Sequence, residues 1–198
     1  MEFNFFTLVF LFAILTSVLA LLWLNFRQDK AIDDSFDSVP DGFSETIKLE
    51  DHQKAGRYTK AKLLLNHFEI IFSTIVLLVW TLGGAMNWID GYWSQKIDDP
   101  VLMGTFFVLS IMLIASFIDL PFSIYRNFVL EQKFGFNRMS AGTFAADLIK
   151  EVILSLILVL PLIYAILYLM NIESIGNYWW VYVWAIISLF SLIMMWVY

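Results

Sequence analysis

Two histidines, eighteen carboxylates and no cysteine leave few ways to build a reactive centre. The lack of cysteine excludes thiol catalysis, disulfides and Cys-based zinc sites. The histidines are His52 and His67. His67 and Glu69 stand two apart, which on a helix turns them to nearly opposite sides. A helical zinc pair needs histidines at i and i+4, as in H-E-x-x-H, and that motif does not occur. A complete zinc site supplied by this chain is therefore not expected. Gly-rich phosphate loops and the G-x-S-x-G elbow are also missing. Ser73, His67 and Asp119 make a Ser–His–Asp set on paper, but nothing in their spacing singles it out.

Two polar stripes remain. Lys62, Asn66, Glu69 and Ser73 fall on one helix face, and Ser116, Asp119 and Ser123 on another. Both stripes lie inside apolar runs, where ionisable residues usually face a bundle interior or a watery cavity. One reading is a polar chamber opening to the cytoplasm and lined by Asn66, Glu69, Ser116 and Asp119. The other places Glu69 and Asp119 near the interface, paired with Lys62 and Arg126.

The elements that carry these stripes follow from composition. Hydrophobic residues make up 60% of the 198-residue chain and charged residues 15%, and the mean hydropathy is +0.75. Soluble domains carry about 45–50% apolar and about 25% charged residues. The excess requires lipid as solvent, with backbone polar groups satisfied inside helices. The expected fold class is an all-α polytopic membrane protein with five transmembrane helices. Five apolar runs approach the roughly 20 residues a span needs: about 3–24, 63–84, 101–124, 148–170 and 179–198. The first is read as a retained span, because acidic Glu2 flanks it and no small-residue cleavage site closes it.

Of the twelve basic residues, seven fall in the first loop and four in the third. Lys96 is alone in the second loop, and the fourth has none. Positive-inside bias puts the first and third loops and the C-terminus in the cytoplasm, and the N-terminus outside. Basic residues placed this way report topology, and no nucleic-acid partner is expected. Trp88, Tyr92 and Trp93, then Tyr178, Trp179 and Trp180, suit outer aromatic belts.

The loops have their own signals. Residues 29–45 are acidic and contain Pro40 and Gly42, so they read as a flexible connection. From Thr46 the pattern turns helical, with Glu50 and Asp51 ahead of Lys54, Arg57, Lys60 and Lys62. That order suits the helix dipole, and Glu50–Lys54 is an i,i+4 pair. This helix should run straight into the second span. In the third loop Phe122, Tyr125 and Val129 share a face, which predicts an amphipathic cytoplasmic helix leaving the membrane. Gly135 suits its stop, Thr143 a cap for the next helix, and Pro161 a kink in the fourth span.

The third loop also carries a signature. Leu120-Pro-Phe-Ser-Ile-Tyr125, then Phe128-Val-Leu-Glu-Gln-Lys-Phe-Gly-Phe-Asn137, resembles zinc metallopeptidases of the CAAX prenyl protease type. The likeness continues through Asp147-Leu-Ile-Lys150 and Leu160-Pro161. It is weaker at Tyr58-Thr-Lys-Ala-Lys62. It covers about His52 to Tyr198, and the Glu-Gln-Lys-Phe-Gly-Phe-Asn element is its most specific part. The resemblance makes residues 1–198 the N-terminal transmembrane domain of such an enzyme. It implies a longer full-length protein whose C-terminal catalytic domain holds H-E-x-x-H and a downstream Glu around zinc.

The resemblance further implies a large intramembrane chamber facing the cytoplasm, and a peptide or prenylated protein as substrate. None of the zinc ligands maps onto this chain, so the segment alone should bind no zinc and be inactive. A structural role transfers to Glu131, Phe134, Gly135 and Asn137, which would dock the third loop near the catalytic domain. A helix stop and interface anchor would use Phe134 and Gly135 equally well. The setting implied is a bacterial inner membrane, or the endoplasmic reticulum membrane in a eukaryote. Two other functions compete. One is a non-catalytic scaffold or lipid-binding module, and the other a small transporter relaying protons through Glu69 and Asp119.

Overall fold

The computed structural model describes residues 4–197, leaving aside the side chains of Asp41 and Val197. Glu2, Phe3 and Tyr198, which flank or end the first and last apolar runs, lie outside the described residues. Among those described, five helical stretches are long and apolar enough to cross a membrane.

Helix α1 spans Phe5–Asp34 and is capped by Asn4, whose Oδ1 accepts from the Thr7 N–H at 2.9 Å. It runs well into the stretch that reads as a flexible connection. The reason is a pairing 27 and 31 residues away. Asp29 and Asp33, one turn apart, both reach the Lys60 ammonium, at 3.4 and 2.7 Å. Helix α2 spans Leu49–Thr81 without a break, so the basic segment and the second span form one rod. It ends short of residue 84, and Gly84 turns the chain at φ +80°. A short helix that the hydropathy pattern does not announce follows, α3 at Ala85–Ser94.

Helix α4 spans Pro100–Tyr125. It passes directly into a π-helical turn at Arg126–Glu131 and then the three-residue α5, Gln132–Phe134. The third loop therefore does not start a separate helix, because it prolongs the third span. The helix stops at Gly135, which has φ +78° and open space where a Cβ would stand. Gly135→Ala meets no clash, so its expected cost is the left-handed backbone alone, about 1–2 kcal/mol. Denaturant unfolding in detergent checks it, and an unchanged midpoint would remove the stop signal.

Helix α6 spans Ala141–Leu154. Its cap is Ser140 rather than Thr143, because the Ser140 hydroxyl accepts from the Thr143 N–H at 3.1 Å. A second π turn, Ser155–Val159, precedes α7 at Leu160–Asn171. The disturbance expected at Pro161 takes this form. Proline lacks the N–H and crowds the carbonyl four residues back, and the wider turn makes room. A 3₁₀ segment, Glu173–Tyr178, leads to α8 at Trp179–Val197.

The chain divides into two units. The first comprises Met1–Ala85 with Asp119–Arg138, and Leu63, Ile70 and Leu130 are buried in it. The second comprises Met86–Ile118 with Met139–Tyr198. There Ile89, Val101, Thr105 and Leu109 are buried, and Gly104 lets α4 approach Leu167 of α7 closely. Trp88 is 73% exposed. Trp93 instead packs inward: its indole stacks on Phe106 with centroids 5.1 Å apart and donates to the Ser110 hydroxyl at 2.9 Å.

Candidate functional site

The polar contacts that could form a site gather in the first unit. On α2, Tyr58, Leu65, Glu69 and Phe72 fall at i, i+7, i+11 and i+14, which is one helix face. The segment from Phe122 to Phe136 lies along that face in the opposite direction. Phe122 meets Phe72 with ring centroids 5.1 Å apart. One turn on, the Arg126 guanidinium donates to the Glu69 carboxylate. Further on, the Tyr58 hydroxyl donates to the Glu131 carboxylate.

The π turn explains how both charged groups reach α2. Residues five apart on an ordinary α-helix point about 140° away from each other. An i→i+5 turn brings them back toward one side. Arg126 and Glu131 are five apart, and the π turn runs from one to the other.

The four signature residues gather at the end of this segment. Gly135 turns the chain back, and the N–H groups of Phe136 and Asn137 both donate to the Glu131 carbonyl, at 2.9 and 3.2 Å. The turn presents two rings to Tyr58. Phe134 and Phe136 meet it edge-on with centroids 5.2 and 4.9 Å away. The Lys54 ammonium sits over Phe136 at 5.3 Å. Glu131, Phe134, Gly135 and Asn137 thus form one compact turn closed on α2. Tyr58 lies ahead of the apolar run that opens at Leu63. The hydrogen bond to Glu131 is the main cause holding its hydroxyl above the ordinary tyrosine pKa, with burial and the carboxylate charge adding to it.

Beside this ridge is a polar cavity of about 490 Å³. Asn66 and Glu69 line it, with Tyr58, Lys62, Gln28 and Arg126. Asn66 also donates to the Asn25 Oδ1 at 3.3 Å, tying α2 to α1. Asp119 is not among the residues lining this cavity, Ser116 belongs to the second unit, and both are exposed on α4. Glu69 pairs with Arg126, while the Lys62 ammonium sits 5.3 Å from the Tyr58 ring centroid. An apolar groove of about 550 Å³ lies alongside, lined by residues including Phe68, Phe72, Phe122 and Tyr125. Leu65 lines both spaces.

Neither histidine joins a cluster. His52 Nε2 lies 2.8 Å from the Ser35 carbonyl oxygen. Among the described residues no group of three or more His, Cys, Asp and Glu could hold a metal ion. Ser73 donates to the Ile70 carbonyl at 3.1 Å, a local helix contact.

Sequence reasoning misses the weight of two residues. Tyr58 stands out in the sequence only as a weak signature position, yet it receives the whole turn. Asn25, only 9% exposed, belongs to no motif. Its signal is nonetheless there: an amide at the end of an apolar run needs a partner.

A family model described as the CAAX prenyl protease N-terminal region, with five membrane helices, matches residues 28–198. The CAAX prenyl protease 1 homolog of Caenorhabditis elegans is 29% identical over 176 residues, covering 89% of this chain and 38% of its own length. That of Taenia solium is 32% identical over 191 residues, covering 89% and 40%. The crystal structure of Ste24p from S. mikatae shares the fold, with a TM-score of 0.80 at 21% identity over 92% of this chain and 43% of its own. The chain spans about two fifths of the length of these relatives.

Proposed function

Because this chain belongs to the CAAX prenyl protease family as its N-terminal membrane region, we propose that it frames an intramembrane chamber and positions a catalytic domain that cleaves peptides or prenylated proteins. The observation that carries the reading is the signature turn, Glu131 to Asn137, locked on Tyr58. A segment anchored this way is a fixed platform, which a catalytic domain needs in order to meet substrate in one geometry. The polar cavity between α1, α2 and the π turn supports the chamber, with Asn66 and Glu69 on its wall.

In the reaction we assign to the full-length protein, zinc would polarise the peptide bond. The residues of this chain do not fit a zinc site, since no group of three ligand-type side chains comes together among those described. In this reading the catalytic domain would hold the zinc and carry the hydrolytic step. This region binds lipid, orients the third segment and holds substrate. The basic loops favour an N-terminus outside and a C-terminus in the cytoplasm. The membrane is the bacterial inner membrane or, in a eukaryote, the endoplasmic reticulum.

Two measurements test the proposal. The natural reading frame beyond codon 198 is expected to encode H-E-x-x-H, and a stop codon there would overturn the reading. Co-expression with a separately encoded catalytic domain is expected to give a complex with peptidase activity. A catalytic domain that never associates would favour a free-standing scaffold instead.

A further inference from the structure

We propose that the polar cavity of the first unit binds the phosphate of an anionic phospholipid, with an acyl chain lying in the adjoining apolar groove. The cavity wall carries two cations, Lys62 and Arg126, against one carboxylate, Glu69. Glu69 is already matched by Arg126. That leaves the Lys62 ammonium, a group with three N–H donors and no acceptor, on the cavity wall beside the Tyr58 ring and without a carboxylate partner among the described residues.

A second observation points the same way. Asn66, on the cavity wall, carries an NH2 with two N–H donors, one of which goes to the Asn25 Oδ1. Donors and positive charge together select an anionic oxygen group over a cation.

Depth and shape then favour a lipid over a small ion. The cavity residues run from Tyr58 to Glu69 on α2, straddling Leu63, where the apolar run opens. That is the level at which phosphates of a bilayer meet hydrocarbon. The groove next to it is almost wholly apolar, and Leu65 is common to both. A molecule that fits both carries a phosphate at one end and a hydrocarbon chain at the other. Basic pockets between spans take anionic headgroups by the same chemistry.

The test uses the full chain in mild detergent. It is titrated with phosphatidylglycerol, phosphatidylcholine or inorganic phosphate, with bound lipid counted by native mass spectrometry and stability followed by thermal shift. Phosphatidylglycerol is expected to stay bound and raise the melting temperature, whereas phosphatidylcholine does neither. Lys62→Gln, at an exposed position, is expected to fold normally and weaken phosphatidylglycerol about fivefold. Leu65→Trp, placed where the two spaces meet, is expected to reduce lipid retention further.

Three results would overturn the proposal. Inorganic phosphate that stabilises as well as the lipid makes this a free-anion site. Full retention of phosphatidylglycerol by Lys62→Gln removes the cation from recognition. Displacement of the lipid by a farnesylated peptide with a free carboxylate assigns the cavity to substrate. None of these readouts uses peptidase activity, so the outcome is independent of the proposed enzymatic role.

Discussion

Tyr58→Ala is expected to destabilise the first unit by about 3 kcal/mol, because three contacts disappear together. Two edge-on ring contacts, to Phe134 and Phe136, are worth about 0.5–1.5 kcal/mol each. The hydrogen bond to the Glu131 carboxylate adds about 1.5–3 kcal/mol, and the only partly buried position of Tyr58 reduces the total. Tyr58→Phe keeps the rings and loses only the hydroxyl, at an expected cost of about 1.5 kcal/mol. Thermal unfolding of the two variants in one detergent separates ring from hydroxyl. If neither shifts the transition, the signature turn is not held by Tyr58.

The same contact has a pH signature. The folded state raises the Tyr58 pKa above 10.0, so it favours the protonated hydroxyl. The stabilisation is fully present below that ordinary value and is lost as pH rises through the raised one. Tyr58→Phe is therefore expected to flatten the alkaline fall in stability that the unsubstituted chain shows.

Glu69 and Arg126 provide the second large effect. Their side chains are only 24% and 44% exposed, and Glu69 lies within the second span. Removing one partner leaves the other charge unpaired on the cavity wall. Glu69→Leu and Arg126→Leu are each expected to cost about 2 kcal/mol. The double variant leaves no stranded charge and is expected to cost less than the two singles added, with a coupling of roughly 1–2 kcal/mol. Strict additivity across the cycle would mean that the pair is not coupled. The cycle also bears on a proton relay, since a carboxylate committed to a guanidinium has little freedom to shuttle protons.

How much of this fold is legible in the residues depends on how far apart the interacting groups stand. The five spans follow from runs of apolar residues, and each is a local property of the chain. Gly135 likewise announces a helix stop from its own lack of a Cβ. The extent of α1 is not local, because the carboxylates of Asp29 and Asp33 look like loop residues. They are helical because Lys60, on another helix, sits between them. The cap falls at Ser140 and not three residues later, since Ser and Thr both suit the role locally and only geometry decides.

The candidate site divides the same way. Asn66 and Glu69 share a helix face by simple periodicity, and they line one cavity. Ser116 and Asp119 also share a face, but periodicity does not say which way it turns, and Asp119 does not line the cavity of its own unit. The π turn is invisible to a 3.6-residue period. Without it Arg126 and Glu131 would not both be expected to meet α2, so the pairing of Glu131 with Tyr58 has no signal in the sequence.

The division of the chain also sets an order of events during synthesis. The first unit is interrupted in sequence by Met86–Ile118, which belongs to the second. Glu69 must wait for Arg126, made 57 residues later. At about 5–20 residues per second, that wait is roughly 3–11 s. For those seconds the second span holds a carboxylate without its partner, and the nascent hairpin of α1 and α2 is an open clasp. The arrival of the third segment shuts it.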